Sequence, residues 1–263
     1  MPTAQLACLD GVVMPAAEAR IPATDEGLLH GDGVVELLRL DAGRPFALAD
    51  HLARLERSAA TLRLPLDLDD VHADVATLLT AAGTAPDHGL LRIVLTRGGR
   101  RLLLTERRQQ APERLRLATV TYAPPRLLDE AASTSAAAQR LAGRLATARG
   151  FDAALLVTPH GRVLEAPEAS IFWVAGGRLL TPPLSDHVED RVIRARVLAL
   201  TGADEEPIAL DRLKRADEAF LASVADGIVP VAGIDDAELE PGAVTRDAAA
   251  RLNEAIRDEL REG

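Results

Sequence analysis

The chain has 263 residues, 48% of them hydrophobic and 27% charged, with a formal net charge of −10. That length supports two small domains or one large one with a sizeable core, and the acidic balance excludes a protein held to nucleic acid by clustered Lys and Arg. A single cysteine, Cys8, excludes an internal disulfide and suits a reducing cytoplasm, while no stretch reaches the ~18 apolar residues of a membrane span.

Residues 5–13 read as a first hairpin turned by Asp10-Gly11, with Cys8 as a core residue. The N-terminus lacks the apolar segment of a signal peptide. Gly27-Leu-Leu-His-Gly-Asp-Gly33 reads as a glycine-rich loop feeding a strand, Val34–Leu40, that turns back at Asp41-Ala-Gly43. Leu48, Leu52, Leu55, Ala59 and Leu62 recur at helical spacing, and Pro65 ends that helix. A second helix follows Asp67, with Val71, Val75, Leu78 and Leu79 on one face and Gly83 past its end. Gly89–Thr96, Arg101–Thr105 and Leu115–Tyr122 read as strands.

Ala123-Pro-Pro-Arg126 breaks regular structure and marks a domain boundary. The expected organisation is a small α+β domain over 1–122, a linker over 123–131 and a larger α+β domain over 132–263. In the latter a helix covers about 136–148. Gly150 to Glu165 reads as strand, turn, strand, with Thr158-Pro-His-Gly161 as the turn and Glu165 where alternation would ask for another strand residue. A hairpin through Gly176-Gly177, a helix over about 188–201, strands over 219–224 and 228–231, and a terminal helix over 247–262 complete the chain. No Cys/His metal spacing occurs. Lys214 is the only lysine.

The order of these elements resembles the fold-type IV pyridoxal phosphate (PLP) family, which holds the branched-chain and D-amino-acid aminotransferases and the aminodeoxychorismate lyases. The likeness is carried by Gly27 to Glu36, His51-Leu-Ala-Arg54-Leu-Glu-Arg-Ser58, Leu95-Thr-Arg97-Gly98, Phe151-Asp-Ala-Ala-Leu-Leu156, Gly161 to Glu165, Ile171-Phe172, Thr181-Pro182, Ala216-Asp-Glu-Ala-Phe220 and Pro230-Val231. It implies a two-domain α+β fold, a homodimer and chemistry that starts from a lysine imine with PLP. The resemblance places that lysine on Ala132 and a following family tyrosine on Ala136 or Ala137. It also places the phosphate cup on Arg191-Val-Ile-Arg194, bulky where the family is small, a phosphate-binding threonine on Val224 and the asparagine on Ser170. The lost contacts, Ala132, Arg191, Ile193 and Val224 together, imply that no cofactor is bound through an imine.

Glu165 matches the family carboxylate that pairs with the pyridine nitrogen, and reads as a relic, a salt-bridge partner or a general acid/base. Arg54 matches an arginine near the phosphate, or is a helix-surface residue. Arg191 either fills the cup or offers a planar fork to a carboxylate or phosphate. The resemblance places Arg97, His30 and Glu36 on the family's substrate side, where Arg97 reads as a substrate-carboxylate anchor or a structural strand-end arginine, and His30 as a proton carrier or a structural loop histidine. His51, His72, His88, His160 and His187 are read as structural or exposed. Lys214 is read as solvent-facing, against the alternative of reaching a cofactor. The candidate catalytic set is therefore Glu165, His30 and Glu36, and the candidate substrate-binding set is Arg97, Arg191, Arg54 and Ser170, with no metal. The leading reading is a repurposed, PLP-independent enzyme acting by acid/base chemistry on a small carboxylate-bearing metabolite. The alternatives are a non-catalytic ligand-binding or partner protein, and a residual PLP-using aminotransferase or lyase.

Overall fold

A computed structural model describes residues 5–83, 89–129 and 131–262, so His88 and Glu130 lie outside the described residues. Within them the chain divides into two units.

The first unit is built on residues up to 109, with the segments 131–136 and 258–262. Strands β1 (Leu6–Leu9) and β2 (Val12–Pro15) form the expected hairpin. Asp10 and Gly11 take positive φ of 51° and 87°, as a tight two-residue hairpin turn requires. The glycine-rich segment is not a loop but a short helix, α1 (Glu26–His30). Asp25 caps it, accepting from Gly27 N at 2.8 Å, and left-handed Gly31 ends it. Then come β3 (Gly33–Asp41), β4 (Arg44–Pro45), α2 (Leu48–Leu62), α3 (Leu68–Ala82), β5 (Gly89–Thr96) and β6 (Arg101–Arg107). Among the described residues the strands form one antiparallel sheet in the order β2-β1-β6-β5-β3-β4. Leu38, Leu91, Ile93 and Leu103 of the sheet pack with Leu52, Leu55 and Ala59 of α2 and Val71, Val75 and Leu78 of α3, and Cys8 is buried among them. Asp67 caps α3 through Asp69 N at 2.9 Å. Asp67→Ala is expected to cost about 1 kcal/mol, read from a denaturant midpoint.

The second unit takes residues 110–129 and 137–257. It contains β7 (Leu115–Thr121), α4 (Ala137–Ala148), β8 (Ala153–Val157), β9 (Ser170–Ala175), β10 (Arg178–Thr181), α5 (Val192–Thr201), β11 (Asp204–Glu205), α6 (Leu210–Leu213), β12 (Glu218–Ser223), β13 (Gly227–Ile234), β14 (Ala237–Glu238) and most of α7 (Ala243–Glu262). Its sheet runs β11-β10-β9-β12-β13-β7-β8, with β14 on β13. The expected boundary falls differently here. β7 pairs in parallel with both β13 and β8, so it groups with the second unit, whereas 131–136 group with the first. In that first unit, Val35 N donates to Ala132 O at 2.8 Å and Thr134 N to Gly33 O at 2.9 Å, which lays this segment beside β3.

Two further expectations are corrected. The second strand ending at Glu165 is a pair of isolated bridges, Val157↔Val163 and Arg162↔Ala209, and not a ladder. The helix expected from residue 188 begins at Val192, because Arg191 keeps an extended ψ of 138°. Val188 is still buried, against Leu156, Leu164, Ala142 and Ala146. The terminal helix starts at Ala243, earlier than expected, because Glu218 accepts from Val244 N at 3.2 Å and Thr245 N at 2.8 Å. Trp173, Ile171, Leu155 and Leu221 centre the core of this unit.

Candidate active site

In the first unit the β3 alternation puts Glu36 on the same buried face as Val34, Leu38 and Leu40. A carboxylate there needs partners, and α2 supplies them from one stripe, since His51, Arg54 and Ser58 lie three and four residues apart. Arg54 donates to both Glu36 oxygens, Nε at 2.7 Å and Nη2 at 2.9 Å. His51 Nδ1 donates to Glu36 Oε2 at 2.8 Å. Its Nε2 is buried with no hydrogen-bond partner among the described residues. Ser58 Oγ accepts from Ala132 N at 3.1 Å. Glu36, 0% exposed, thus sits inside an ion cluster, and the Arg54 fork is turned onto it.

Arg97 pairs with Asp32 through Nε and donates from Nη2 to Leu62 O at 2.6 Å, so its guanidinium ties β5 to the end of α2. The Asp32 hydrogen bond holds its pKa above the usual arginine value. His30 is exposed in the last turn of α1. Among the described residues, neither is hydrogen-bonded to Glu36.

The second unit gathers a different set. Glu165 Oε2 accepts from Arg191 Nε at 3.3 Å and from Glu189 N at 3.3 Å. Arg191 Nη2 lies 2.8 Å from Glu189 Oε2 and donates to Pro167 O at 3.1 Å. Glu165 and Arg191 are each 14% exposed. Burial pushes the Glu165 carboxyl up to about 7, with the Arg191 guanidinium opposing that rise and Glu189 adding to it. Tyr122, the only tyrosine, packs with Leu164 and Val188, and its pKa is raised by burial and then by the Glu165 charge. Ser170 is buried on β9, its Oγ without a hydrogen-bond partner among the described residues. Ile193 is buried in the first turn of α5, and Val224 is half-buried after β12. Near the same segment, His187 Nδ1 lies 2.5 Å from Asp129 Oδ2.

Burial therefore holds the Glu165 carboxyl well above the ordinary glutamate range, and it sits against a planar cation suited to carboxylates. Sequence reasoning nominated Glu165 and Arg191 but missed Glu189, Tyr122, Asp129 and the ordering of His187. Their meeting depends on contacts between distant segments. Lys214 Nζ lies 2.9 Å from Asp236 Oδ1 and 3.2 Å from Asp235 Oδ2, and those carboxylates raise its pKa. Among the described residues, no group of three or more His, Cys, Asp or Glu is placed to hold a metal ion, and no helix is long and apolar enough to cross a membrane.

The amino-transferase class IV family model matches residues 33–234. A Methanocaldococcus jannaschii protein, named provisionally as a branched-chain-amino-acid aminotransferase, is 30% identical over 250 residues, covering 86% of this chain and 87% of that one. The crystal structure of a branched-chain aminotransferase from Thermoproteus uzoniensis with norvaline is similar at 25% identity and a TM-score of 0.89, covering 98% of this chain and 97% of that one. A Legionella pneumophila structure, provisionally a 4-amino-4-deoxychorismate lyase, shares the fold at 21% identity and a TM-score of 0.84, over 91% of this chain and 97% of that one.

Proposed function

This chain belongs to the class IV aminotransferase family, and we propose that it is a member that works without a lysine-bound cofactor, moving protons on a small carboxylate-bearing metabolite. The family is PLP-dependent, and its cofactor is joined through a lysine amine. The residues present suit that bond poorly. The matching position is Ala132, a methyl group whose backbone N–H is bonded to Ser58 and whose carbonyl accepts from Val35. Lys214 is the only lysine, and Asp235 and Asp236 favour its protonated form, which is no nucleophile. Arg191 lies on the Glu165 carboxylate. The chemistry proposed here uses protein side chains alone.

One observation carries the reading: the largely buried Glu165 carboxylate accepts from Arg191 Nε at 3.3 Å, and burial pushes its pKa up to about 7. A general acid or base works best when its pKa lies near the operating pH, and an adjacent arginine can orient a substrate carboxylate. The names of the relatives, which concern branched-chain amino acids and norvaline, support an amino acid or its 2-oxo acid as the metabolite class. Family membership also supports a homodimer, and the single buried cysteine suits the cytoplasm.

The test has two arms. Protein incubated with PLP is expected to show no visible aldimine band and no borohydride-fixed adduct, and fixation at Lys214 would overturn the proposal. In D2O the wild-type protein is expected to speed deuterium exchange beside the carbonyl of a 2-oxo acid, and Glu165→Gln to lose that effect. A second reading, a non-catalytic ligand-binding or partner protein, is favoured by the dense pairing of Arg191 with Glu165, Glu189 and the Pro167 carbonyl. It predicts no exchange above buffer. A residual PLP enzyme predicts the aldimine band.

A further inference from the structure

His187 has a backbone φ of 65° and closes the short turn Leu184–Asp186. That left-handed region is one glycine enters freely and a side-chain-bearing residue enters at some cost. The position is nonetheless a histidine, and its ring is not idle. Nδ1 meets Asp129 Oδ2 at 2.5 Å, a residue 58 positions earlier, and the ring stays 28% exposed. A carboxylate on Nδ1 fixes the tautomer and leaves Nε2 as the proton acceptor.

The chain that follows leads to Glu165. Val188 turns into the core beside Leu164 and Tyr122. Glu189 N donates to Glu165 Oε2 at 3.3 Å, and Glu189 Oε2 lies 2.8 Å from Arg191 Nη2. Two residues of chain span at most about 7 Å, and Glu189 N lies 3.3 Å from Glu165 Oε2, so the His187 backbone lies within roughly 10 Å of the Glu165 carboxylate.

We infer that His187, oriented by Asp129, is the second catalytic residue of this site and the proton-transfer partner of Glu165; this deepens the acid–base reading above and rests on it. With the carboxylate of a 2-oxo acid on Arg191, His187 Nε2 takes a proton from C3. The C–H electron pair forms the C2=C3 bond, and the C2=O π pair takes the proton of the acid form of Glu165. The product is the enol, and no oxidant or reductant is needed. Return of a solvent deuteron from the imidazolium to C3, with Glu165 reprotonated, completes an exchange cycle. Asp129 is a positioning residue that acts through the imidazole.

The experiment follows C3 protons of 2-oxobutanoate and 2-oxoglutarate by 1H NMR in D2O, with wild type, His187→Gln, His187→Gly, Asp129→Asn and Glu165→Gln. His187→Gln and His187→Gly are expected to slow exchange by about 100-fold or more. His187→Gly is expected to melt no lower than wild type, because glycine relieves the left-handed backbone. Asp129→Asn is expected to slow exchange and to change the 15N tautomer signature of His187, which a purely structural contact would leave without kinetic effect. Wild-type rates in both His187 variants, with Glu165→Gln slow, would refute the role of His187 and leave the site reading standing. No exchange above buffer by wild type on either acid would refute the site reading and this inference with it.

Discussion

Glu36→Ala is expected to destabilise the protein by roughly 3–5 kcal/mol, the range for removing one member of a buried charge cluster. The reason lies in what remains. Arg54 points both Nε and Nη2 at the Glu36 carboxylate, and His51 points Nδ1 there. With the carboxylate gone, a guanidinium that is 11% exposed loses its principal counterion in a place water scarcely reaches. The magnitude measures a stranded charge and not the worth of the cluster. A triple variant, Glu36→Leu with Arg54→Met and His51→Phe, is therefore expected to be near wild-type stability or above it. Urea unfolding followed by circular dichroism checks both. A loss under about 1 kcal/mol in Glu36→Ala would show that the cluster is hydrated and that its closure is not as described.

The features legible in the sequence are those written in local periodicity. Leu48, Leu52, Leu55 and Ala59 could face one way only in a helix, and α2 is that helix. β3 and β5 read as strands and pair over their whole length, Gly33↔Thr96 to Leu40↔Gly89. What escaped was set by partners far along the chain. α1 hid behind Gly27 and Gly31, and Asp25 caps its start. The tie of Arg97 to Asp32, 65 residues away, has no sequence signature. Nothing in the sequence announces the left-handed backbone of His187 or the Asp129 that pairs with it. Glu36 was within reach. A carboxylate on the apolar phase of a strand, followed by His51 and Arg54 three apart on a helix, is a pattern that asks for an ion cluster. Glu165 stood out for a similar reason, as a charge where a strand residue was expected. Its pairing needed the extended Arg191 and could not be read from periodicity.

Arg191→Leu is expected to push the Glu165 pKa above its present value of about 7, because burial raises it and the Arg191 charge is the largest influence holding it down. The sign of the stability effect follows from linkage. The native carboxyl holds its proton more tightly than the ordinary glutamate at 4.5 does. As pH rises from about 4.5, the unfolded state sheds the proton first, so stability is fully present below that value and falls until the native group also ionises near 7. The loss across that window is on the order of 3 kcal/mol at about 1.4 kcal/mol per pH unit. Glu165→Gln cannot titrate, so its stability relative to wild type is expected to improve over the same interval. In Arg191→Leu the falling limb extends above pH 7, and Glu189 loses a partner as well, so the variant is weakest in mildly alkaline buffer. Denaturation midpoints of the three proteins between pH 4 and 9 test the set. A difference between wild type and Glu165→Gln that does not change with pH would show that Glu165 titrates at its ordinary value. It would then be an ion-pair carboxylate at neutral pH, with no proton to deliver, and the acid–base reading would lose the group on which it depends.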